Sequence, residues 1–414
     1  MKQFLATPIF LISLIIGCSD DTTVSPVVDD TFLKLTFSEG YCDAEGWVIL
    51  YTEDGQTALQ TIKFNGNAVV DLGELEESQV TLTIITTVFN NGNKFYRINT
   101  YYSVKKGSWL FEGYTPVNKG MATVRMNFPL GFYDELLLST TGFTVFDHRG
   151  FSTNTYLTSG TVSKLNKNQT ISLFGSVCNF NTNKGYYSLS TEKPFDLGDY
   201  NNYTLDLSKP LTLTYVNSNR PFNYISIFAA STEPQIGYLL FNHSYSSSAL
   251  QQKVFLPDSF PAFKYGTAIQ NYENDNSYHY FKISNKPVNN ITIPESYLTA
   301  SYNDVQIQYE NITLTGKADY LSGEWFFITN DYKTTVTWIV YTANSVTVIK
   351  RPTLPTEVLS QLTDFNVNEL WAMSVKLFDQ DNISSLNGYI EYSYRNAESN
   401  IKSSNEEYSY ILYL

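Results

Sequence analysis

The chain has 414 residues, of which 27 are Lys or Arg and 40 are Asp or Glu, and its formal net charge is −13. No basic run is longer than a pair such as Lys105-Lys106, whereas a protein that neutralises nucleic-acid phosphates concentrates its cations in patches. The composition therefore excludes a nucleic-acid partner, and the length predicts roughly two to four domains.

The N-terminus has the layout of a secretory signal, with a positive start followed by the mostly apolar run Phe4–Gly17. This run is too short for a transmembrane helix, which needs about 20 apolar residues. Its end, Ile15-Ile16-Gly17-Cys18, resembles the bacterial lipobox. The resemblance implies that residues 1–17 are a cleaved signal peptide and that Cys18 carries acyl chains that anchor the mature protein in a membrane. A plain signal peptide followed by an incidental cysteine is the alternative.

Residues 18–30 are predicted to form an acidic tether behind the lipidated cysteine. The triplet Ser19, Asp20 and Asp21 resembles the export signal of surface-exposed lipoproteins of the Bacteroidota. That resemblance implies the outer membrane, with the protein facing the cell exterior. The alternative is the periplasmic leaflet, with a tether that is only a solvated spacer. Because the acidic balance disfavours binding to anionic lipid, the acyl chains on Cys18 are the predicted membrane contact.

Strand signals dominate the chain after the tether. Segments rich in β-branched and aromatic residues alternate with turn clusters that begin near Glu53, Asn90, Lys105, Asn181 and Asn217. In chain order the strand segments are TLTIITTVF, FYRINTYYSV, ATVRMNF, LTLTYV, YISIFAA, VQIQYENITLTG and TVTWIVYT. Helix signals are limited to Thr356–Leu362 and a short turn at Tyr133–Leu137. The pattern predicts an all-β protein of tandem immunoglobulin-like or prealbumin-like β-sandwiches.

An internal echo predicts three β-sandwich units, at 31–165, 166–305 and a shorter one at 306–414. Related segments begin at Leu33, Ile171 and Ile312. In each, a glycine is followed six positions later by a threonine; the pairs are Gly46 with Thr52, Gly185 with Thr191, and Gly323 with Thr329. We interpret each glycine as a sharp turn into an aromatic strand. Chance recurrence in a β-rich chain is the alternative.

The first unit resembles the sandwiches of transthyretin-like and carboxypeptidase-regulatory-like domains. The segment that carries the likeness runs from Trp47 to Ile85, WVILYTEDGQTALQTIKFNGNAVVDLGELEESQVTLTII. It contains a strand, an Asp-Gly hairpin, a second strand, a glycine turn and a third strand. The resemblance implies a fold and no activity.

Motifs of the common enzyme classes are not found. The three histidines, His148, His243 and His279, lack metal-ligand spacing, and neither a nucleophile-elbow nor a phosphate-loop pattern occurs. Asp147–Ser152 places an aspartate, a histidine and a serine together, but the fold, not adjacency, assembles a triad. Acidic loops at Glu273–Asn276 and Asp379–Asn382 are weak calcium candidates. We therefore expect no catalytic residue, no cofactor and no metal.

Two further cysteines, Cys42 and Cys178, have two interpretations. Outside the cytoplasm they could form a disulfide, but the sequence does not give the Cα separation that a disulfide needs. Two buried free thiols are the alternative.

Aromatic residues make up 15% of the chain and are the strongest ligand signal. Interleaved with Asn, Ser and Arg, they suit glycan recognition, in which rings stack on sugars and polar groups bind hydroxyls. Trp109 and Tyr114 are the candidate glycan contacts, and Trp325 is expected to be buried. The predicted function is a non-enzymatic surface lipoprotein for adhesion or ligand capture, which contacts a glycan or an envelope protein. The alternatives are a glycan-binding component of a nutrient-uptake system and a hydrolase of unrecognised type.

Overall fold

The computed structural model describes residues 32–112, 118–140, 143–152, 155–164, 170–190, 193–194, 201–230, 237–258, 260–271, 275–303, 307–394 and 405–414. Within these ranges the chain forms 29 β-strands, two α-helices and one 3-10 helix. The predicted all-β class of β-sandwich domains is confirmed. In the described ranges, no helix has the length and apolar character needed to cross a membrane.

The first sandwich contains seven strands in two sheets. The sheets have the orders β4-β1-β7 and β3-β2-β5-β6, and β1 and β7 run parallel. Apolar side chains from both sheets, such as Leu35, Leu82 and Phe111, form one buried core between them. The strands are β1 (Leu33–Phe37), β2 (Glu45–Tyr51), β3 (Ala58–Asn65), β4 (Ala68–Leu72), β5 (Val80–Asn90), β6 (Asn93–Val104) and β7 (Gly107–Phe111).

The second sandwich repeats this arrangement. Its sheets have the orders β11-β8-β16, with β8 and β16 parallel, and β10-β9-β13-β14, with the short β17 added at the edge. Val124, Leu136 and Leu205 belong to its separate core. The strands are β8 (Asn118–Asn127), β9 (Phe132–Thr140), β10 (Phe143–Ser152), β11 (Thr155–Lys164), β12 (Thr170–Ile171), β13 (Leu173–Asn179), β14 (Lys184–Leu189), β15 (Lys193–Pro194), β16 (Asn201–Asp206) and β17 (Lys209–Pro210).

A four-stranded sheet follows the second sandwich. Its order, β19-β18-β20-β21, repeats the four-stranded layer of the two sandwiches, and β22 pairs with one end of β18. These strands are β18 (Thr212–Ala230), β19 (Gly237–Leu256), β20 (Ala262–Asn271), β21 (Asn276–Ser284) and β22 (Asn290–Ile291).

The last sandwich has the sheets β26-β25-β28-β29 and β27-β24-β23. In this sandwich β23, which comes before β24 in the chain, takes the place of the seventh strand. It pairs with β24 in antiparallel orientation, whereas the seventh strand of the other sandwiches is parallel to its partner. The elements are β23 (Tyr297–Tyr302), β24 (Gln308–Thr315), β25 (Tyr320–Ile328), β26 (Thr334–Ala343), β27 (Ile349–Lys350), α1 (Thr356–Leu359), the 3-10 helix (Val367–Glu369), β28 (Trp371–Gln380), α2 (Leu386–Tyr394) and β29 (Glu406–Tyr413).

Strand pairing joins the units into a continuous 13-stranded sheet. β26 pairs in parallel with β6 of the first sandwich, and β29 pairs with β21 of the four-stranded sheet. Pairing also crosses both predicted unit boundaries, since β13 pairs with β9 across residue 165 and β24 pairs with β23 across residue 305. The predicted units therefore share hydrogen-bonded sheets.

The repeated glycine lies at the same strand position of the sandwich in two of its three copies. Gly46 lies in β2 and Gly323 in β25, which are the second strands of their sandwiches, whereas Gly185 lies in β14, which is a sixth strand. The glycines leave room for aromatic rings: a Cβ at Gly323 would lie 2.6 Å from the ring of Tyr309. Close packing of a ring on the strand, not a sharp turn, is therefore the reason for the glycine.

The helix predictions had mixed outcomes. The predicted helix at Thr356–Leu362 is confirmed as α1, which begins after Pro355 and is shorter than predicted. The predicted turn at Tyr133–Leu137 is wrong, because these residues lie within β9, where Leu136, Leu137 and Leu138 are all buried.

Candidate functional site

The predicted lipidation and export residues, Cys18, Ser19, Asp20 and Asp21, lie outside the described residues, as does Tyr114. Trp109 lies in the core of the first sandwich and is 6% exposed. Its ring stacks on Tyr394 at a centroid distance of 6.0 Å and meets the edge of Tyr101 at 5.7 Å. The proposed glycan contact at Trp109 is therefore corrected, because the ring fills the core and offers no open face. Trp325 is buried, as predicted.

Cys42 and Cys178 are free and buried. They belong to two different cores, Cys42 to that of the first sandwich and Cys178 to the core along the long sheet. Burial raises the pKa of both thiols. The candidate disulfide is therefore absent, and the alternative of two buried thiols describes the structure.

The described histidines occupy separate places. His243 Nδ1 lies 3.8 Å from Glu135 Oε1, and burial together with the nearby Lys376 charge lowers the pKa of His279. The side chains of Asp147–Ser152 and half of the loop at Glu273–Asn276 lie outside the described residues. In the other candidate calcium loop, Asp379 pairs with Lys317 at 3.0 Å. Among the described side chains, no group of three or more His, Cys, Asp or Glu residues could hold a metal ion.

An open cleft of about 850 Å³ is the candidate ligand site. It lies in the last sandwich, between the turn that joins β25 to β26 and the segment that leads from α1 into the 3-10 helix. Its lining mixes aromatic, amide, hydroxyl and charged groups; the residues are Phe327, Ile328, Thr329, Asn330, Asp331, Lys333, Thr334, Asp364, Phe365, Asn366 and Glu369. Ligand sites combine apolar and aromatic surface with polar groups that fix the orientation of the ligand, and both kinds of group are present here.

One wall is a turn closed by its own side chains. Thr329 Oγ1 donates to Asp331 Oδ1 at 2.7 Å, and the same carboxylate oxygen accepts the Lys333 N–H at 3.1 Å. The Thr334 N–H donates to Thr329 Oγ1 at 3.0 Å. The two bonds to Asp331 Oδ1, that from the Thr329 hydroxyl first, lower the pKa of Asp331, which is therefore ionised at neutral pH.

The first sandwich contains the same turn between β2 and β3. Thr52 Oγ1 donates to Asp54 Oδ1 at 2.6 Å, the Gln56 N–H donates to that oxygen at 3.0 Å, and the Thr57 N–H donates to Thr52 Oγ1 at 3.2 Å. The fourth residue of each turn has a left-handed backbone, with φ of 70° at Gly55 and 59° at Tyr332. The side chains that build the turn are therefore shared, whereas Glu53, Gly55 and Gln56 of the first turn correspond to Asn330, Tyr332 and Lys333 of the second.

The opposite wall comes from an enlarged connection. Residues 351–370 link β27 to β28, whereas residues 73–79 make the equivalent connection between β4 and β5. Within the longer connection, Asn366 Oδ1 accepts the Asn368 N–H at 3.1 Å, and Asn366 Nδ2 donates to Glu369 Oε1 at 2.8 Å. Phe365 meets the buried Phe327 edge-on at 5.7 Å, which closes the floor of the cleft.

The first sandwich braces this second wall. Lys94 Nζ on β6 donates to Thr363 Oγ1 at 2.8 Å, and the Lys94 N–H donates to the Lys333 carbonyl at 2.7 Å. One residue therefore contacts both sides of the cleft. The two walls are thus linked through β6, which pairs with β26.

The cleft is acidic. Asp331, Asp364 and Glu369 contribute carboxylates, and Lys333 contributes the ammonium group among the lining residues. Lys333 Nζ lies 3.5 Å from Asp331 Oδ2 in an exposed pair, which is worth little in water. Both groups thus remain available to a ligand.

Comparison with protein families and with curated proteins found no match to this chain.

The cleft was not predicted from the sequence, although the sequence contains a signal for it. The repeated residues Thr52 and Thr329 begin the related segments TEDGQT and TNDYKT, and the second segment has a tyrosine where the first has a glycine. Aromatic composition pointed to Trp109 instead, because composition does not show which side chains face the core.

Proposed function

We propose that this chain is a non-enzymatic lipoprotein of the outer membrane, anchored through Cys18, that captures a ligand at the cell exterior. The lipobox-like segment and the acidic triplet after it support the anchor and the address. The observation that carries ligand capture is the open cleft between the β25–β26 turn and residues 364–369. Binding sites are commonly formed by loops that a rigid sheet positions, and this cleft is built in that way.

The second candidate, a glycan-binding component of a nutrient-uptake system, is supported by the chemistry of the lining. Amides at Asn330 and Asn366 and carboxylates at Asp364 and Glu369 can exchange hydrogen bonds with sugar hydroxyls. Phe365 adds an apolar surface for the C–H face of a sugar. A hydrolase of unrecognised type is the third candidate, and turnover in a screen of ester, glycoside and peptide substrates would favour it over capture.

The anchor is tested by Cys18→Ala, which we expect to abolish labelling by a fatty-acid probe and to release the chain from the membrane fraction. Labelling and membrane association that persist in the variant would refute lipidation at Cys18. Replacement of Asp20 and Asp21 by alanine is expected to protect the protein from protease added to intact cells. Unchanged digestion would show that the acidic pair is only a spacer.

Ligand capture is tested by native electrophoresis in gels that contain soluble polysaccharides. We expect the protein to be retarded, and the double variant Asn330→Ala and Lys333→Ala to lose most of the retardation. The matched control is Glu53→Ala with Gln56→Ala, which changes the equivalent positions of the other turn. Equal loss in both double variants would assign the effect to the turns in general and not to the cleft.

A further inference from the structure

Tyr332 has a conformation that its residue type disfavours. Its backbone is left-handed, with φ of 59°, and its side chain is 71% exposed. Bulky residues rarely adopt this region, because Cβ approaches the neighbouring carbonyl oxygen. Glycine is the residue that fits it without strain, and the equivalent position in the first sandwich is Gly55.

The turn itself does not require a side chain at this position. The backbone bond is the same in both copies: the Tyr332 N–H donates to the Thr329 carbonyl at 2.9 Å, and the Gly55 N–H donates to the Thr52 carbonyl at 2.8 Å. The strained and exposed ring therefore stabilises neither the turn nor the core. Local strain that persists without a structural gain points to a role in binding.

The neighbours of Tyr332 indicate where that role lies. Asp331 and Lys333, on either side of it, both line the cleft, whereas Tyr332 itself is outside the lining and stands exposed beside it. At the other wall Asp364 is also left-handed, with φ of 62°, and lines the cleft as well. The two walls thus each present an exposed side chain from a backbone position that glycine would occupy more easily.

The charges of the site restrict the ligand. Three carboxylates against one ammonium group give the cleft a negative balance, and the whole chain carries a net charge of −13. An acidic polymer would meet repulsion both at the site and during approach. Hydroxyl groups, in contrast, can donate to the carboxylates without any charge of their own.

We infer that Tyr332 is a ligand-contacting residue at the rim of the cleft, whose ring packs on a sugar of a neutral polysaccharide where the polymer extends beyond the cleft. This inference rests on the proposed capture function and names its ligand class and one contact. The ring supplies the flat apolar face, and the carboxylates of Asp364 and Glu369 accept hydroxyl hydrogens.

The test compares Tyr332→Gly, Tyr332→Asn and Tyr332→Phe in affinity gels of the full chain. The neutral probes are glucomannan, xylan and β-glucan, and the acidic probes are alginate and polygalacturonate. We expect retardation by a neutral polymer alone, retained by Tyr332→Phe and weakened about tenfold by Tyr332→Gly and Tyr332→Asn. Because both of these residues tolerate the left-handed backbone, their thermal unfolding midpoints should equal or exceed that of the wild type.

The outcomes separate this inference from the proposed function. Unchanged retardation of Tyr332→Gly and Tyr332→Asn would overturn the role of the ring while leaving ligand capture in place. Retardation by the acidic polymers alone would overturn the neutral ligand class. If no polymer retards the wild-type protein, the glycan-binding function itself fails, and the inference fails with it.

Discussion

Thr100 joins the first and last sandwiches through a buried hydroxyl group, and its replacement by valine should weaken that joint. Thr100 Oγ1 accepts a hydrogen bond of 3.0 Å from Trp338 Nε1 and lies 2.8 Å from Thr83 Oγ1. All three side chains are fully buried. Thr100 belongs to β6 and Trp338 to β26, which are the parallel pair at the joint.

The expected loss follows from the groups that Thr100→Val leaves without a partner. A buried indole N–H with no acceptor costs about 1–3 kcal/mol, and the lost bond between the two hydroxyls costs about 1 kcal/mol. The methyl group that replaces the hydroxyl returns roughly 0.8 kcal/mol. The free energy of unfolding should therefore fall by about 2 kcal/mol. In Thr83→Val only the bond between hydroxyls is lost, and the new methyl group nearly offsets it.

Urea denaturation of both variants measures this difference, provided that the slopes with denaturant agree. A double-mutant cycle with Trp338→Phe isolates the contribution of the indole. Thr100→Val should lower the free energy of unfolding by less in the Trp338→Phe background, because no indole N–H is present there to lose its acceptor. If Thr100→Val is no more destabilising than Thr83→Val, or if its cost is unchanged in the Trp338→Phe background, loss of the acceptor of the indole N–H is not the cause.

Two further predictions concern packing and pH. Gly323→Ala should destabilise the protein by about 1–3 kcal/mol, because the new Cβ meets the buried ring of Tyr309; Gly73→Ala, where nothing lies within 4 Å, is the matched control in the same denaturation assay. Burial raises the pKa of Asp319 above its usual 3.8, so the folded state loses stability as the pH rises through and beyond that value. Asp319→Asn should therefore gain in unfolding midpoint relative to the wild type as the pH rises above 3.8, and a pH-independent difference would contradict this cause.

The strands were predictable because their signal is local. β5 and β26 are rich in Val, Ile and Thr, and such residues favour an extended, half-buried backbone in many contexts. The same locality explains the error at Tyr133–Leu137, where leucines that suit a helix lie in β9, a strand buried against neighbours on both faces. α2 was missed for a related reason, since LNGYIEYSY contains a glycine and three tyrosines and has weak helix propensity of its own.

Strand pairing could not be predicted, because it depends on residues far apart in the sequence. Nothing near Thr334–Ala343 indicates a parallel partner more than 200 residues earlier. The echo at Ile171 shows the same limit: β13 and β14 resemble β1 and β2 as a strand, turn and glycine, although they occupy the fifth and sixth positions of the sandwich. Similar local sequence can therefore serve different positions, and only the pairing distinguishes them.

The neighbours of each turn explain why the cleft lies beside the turn of the last sandwich and not beside that of the first. In the first sandwich, a Cβ at Gly55 would lie 2.8 Å from the hydroxyl of Tyr102, which itself donates to the Lys350 carbonyl at 3.0 Å. That turn is closed by packing and has no room for a side chain. In the last sandwich the enlarged connection of residues 351–370 forms a separate wall, and Tyr332 stands in the open. The same turn is thus a packed corner in the first sandwich and the rim of a site in the last sandwich. The residue at its fourth position differs accordingly, glycine in the first and tyrosine in the last.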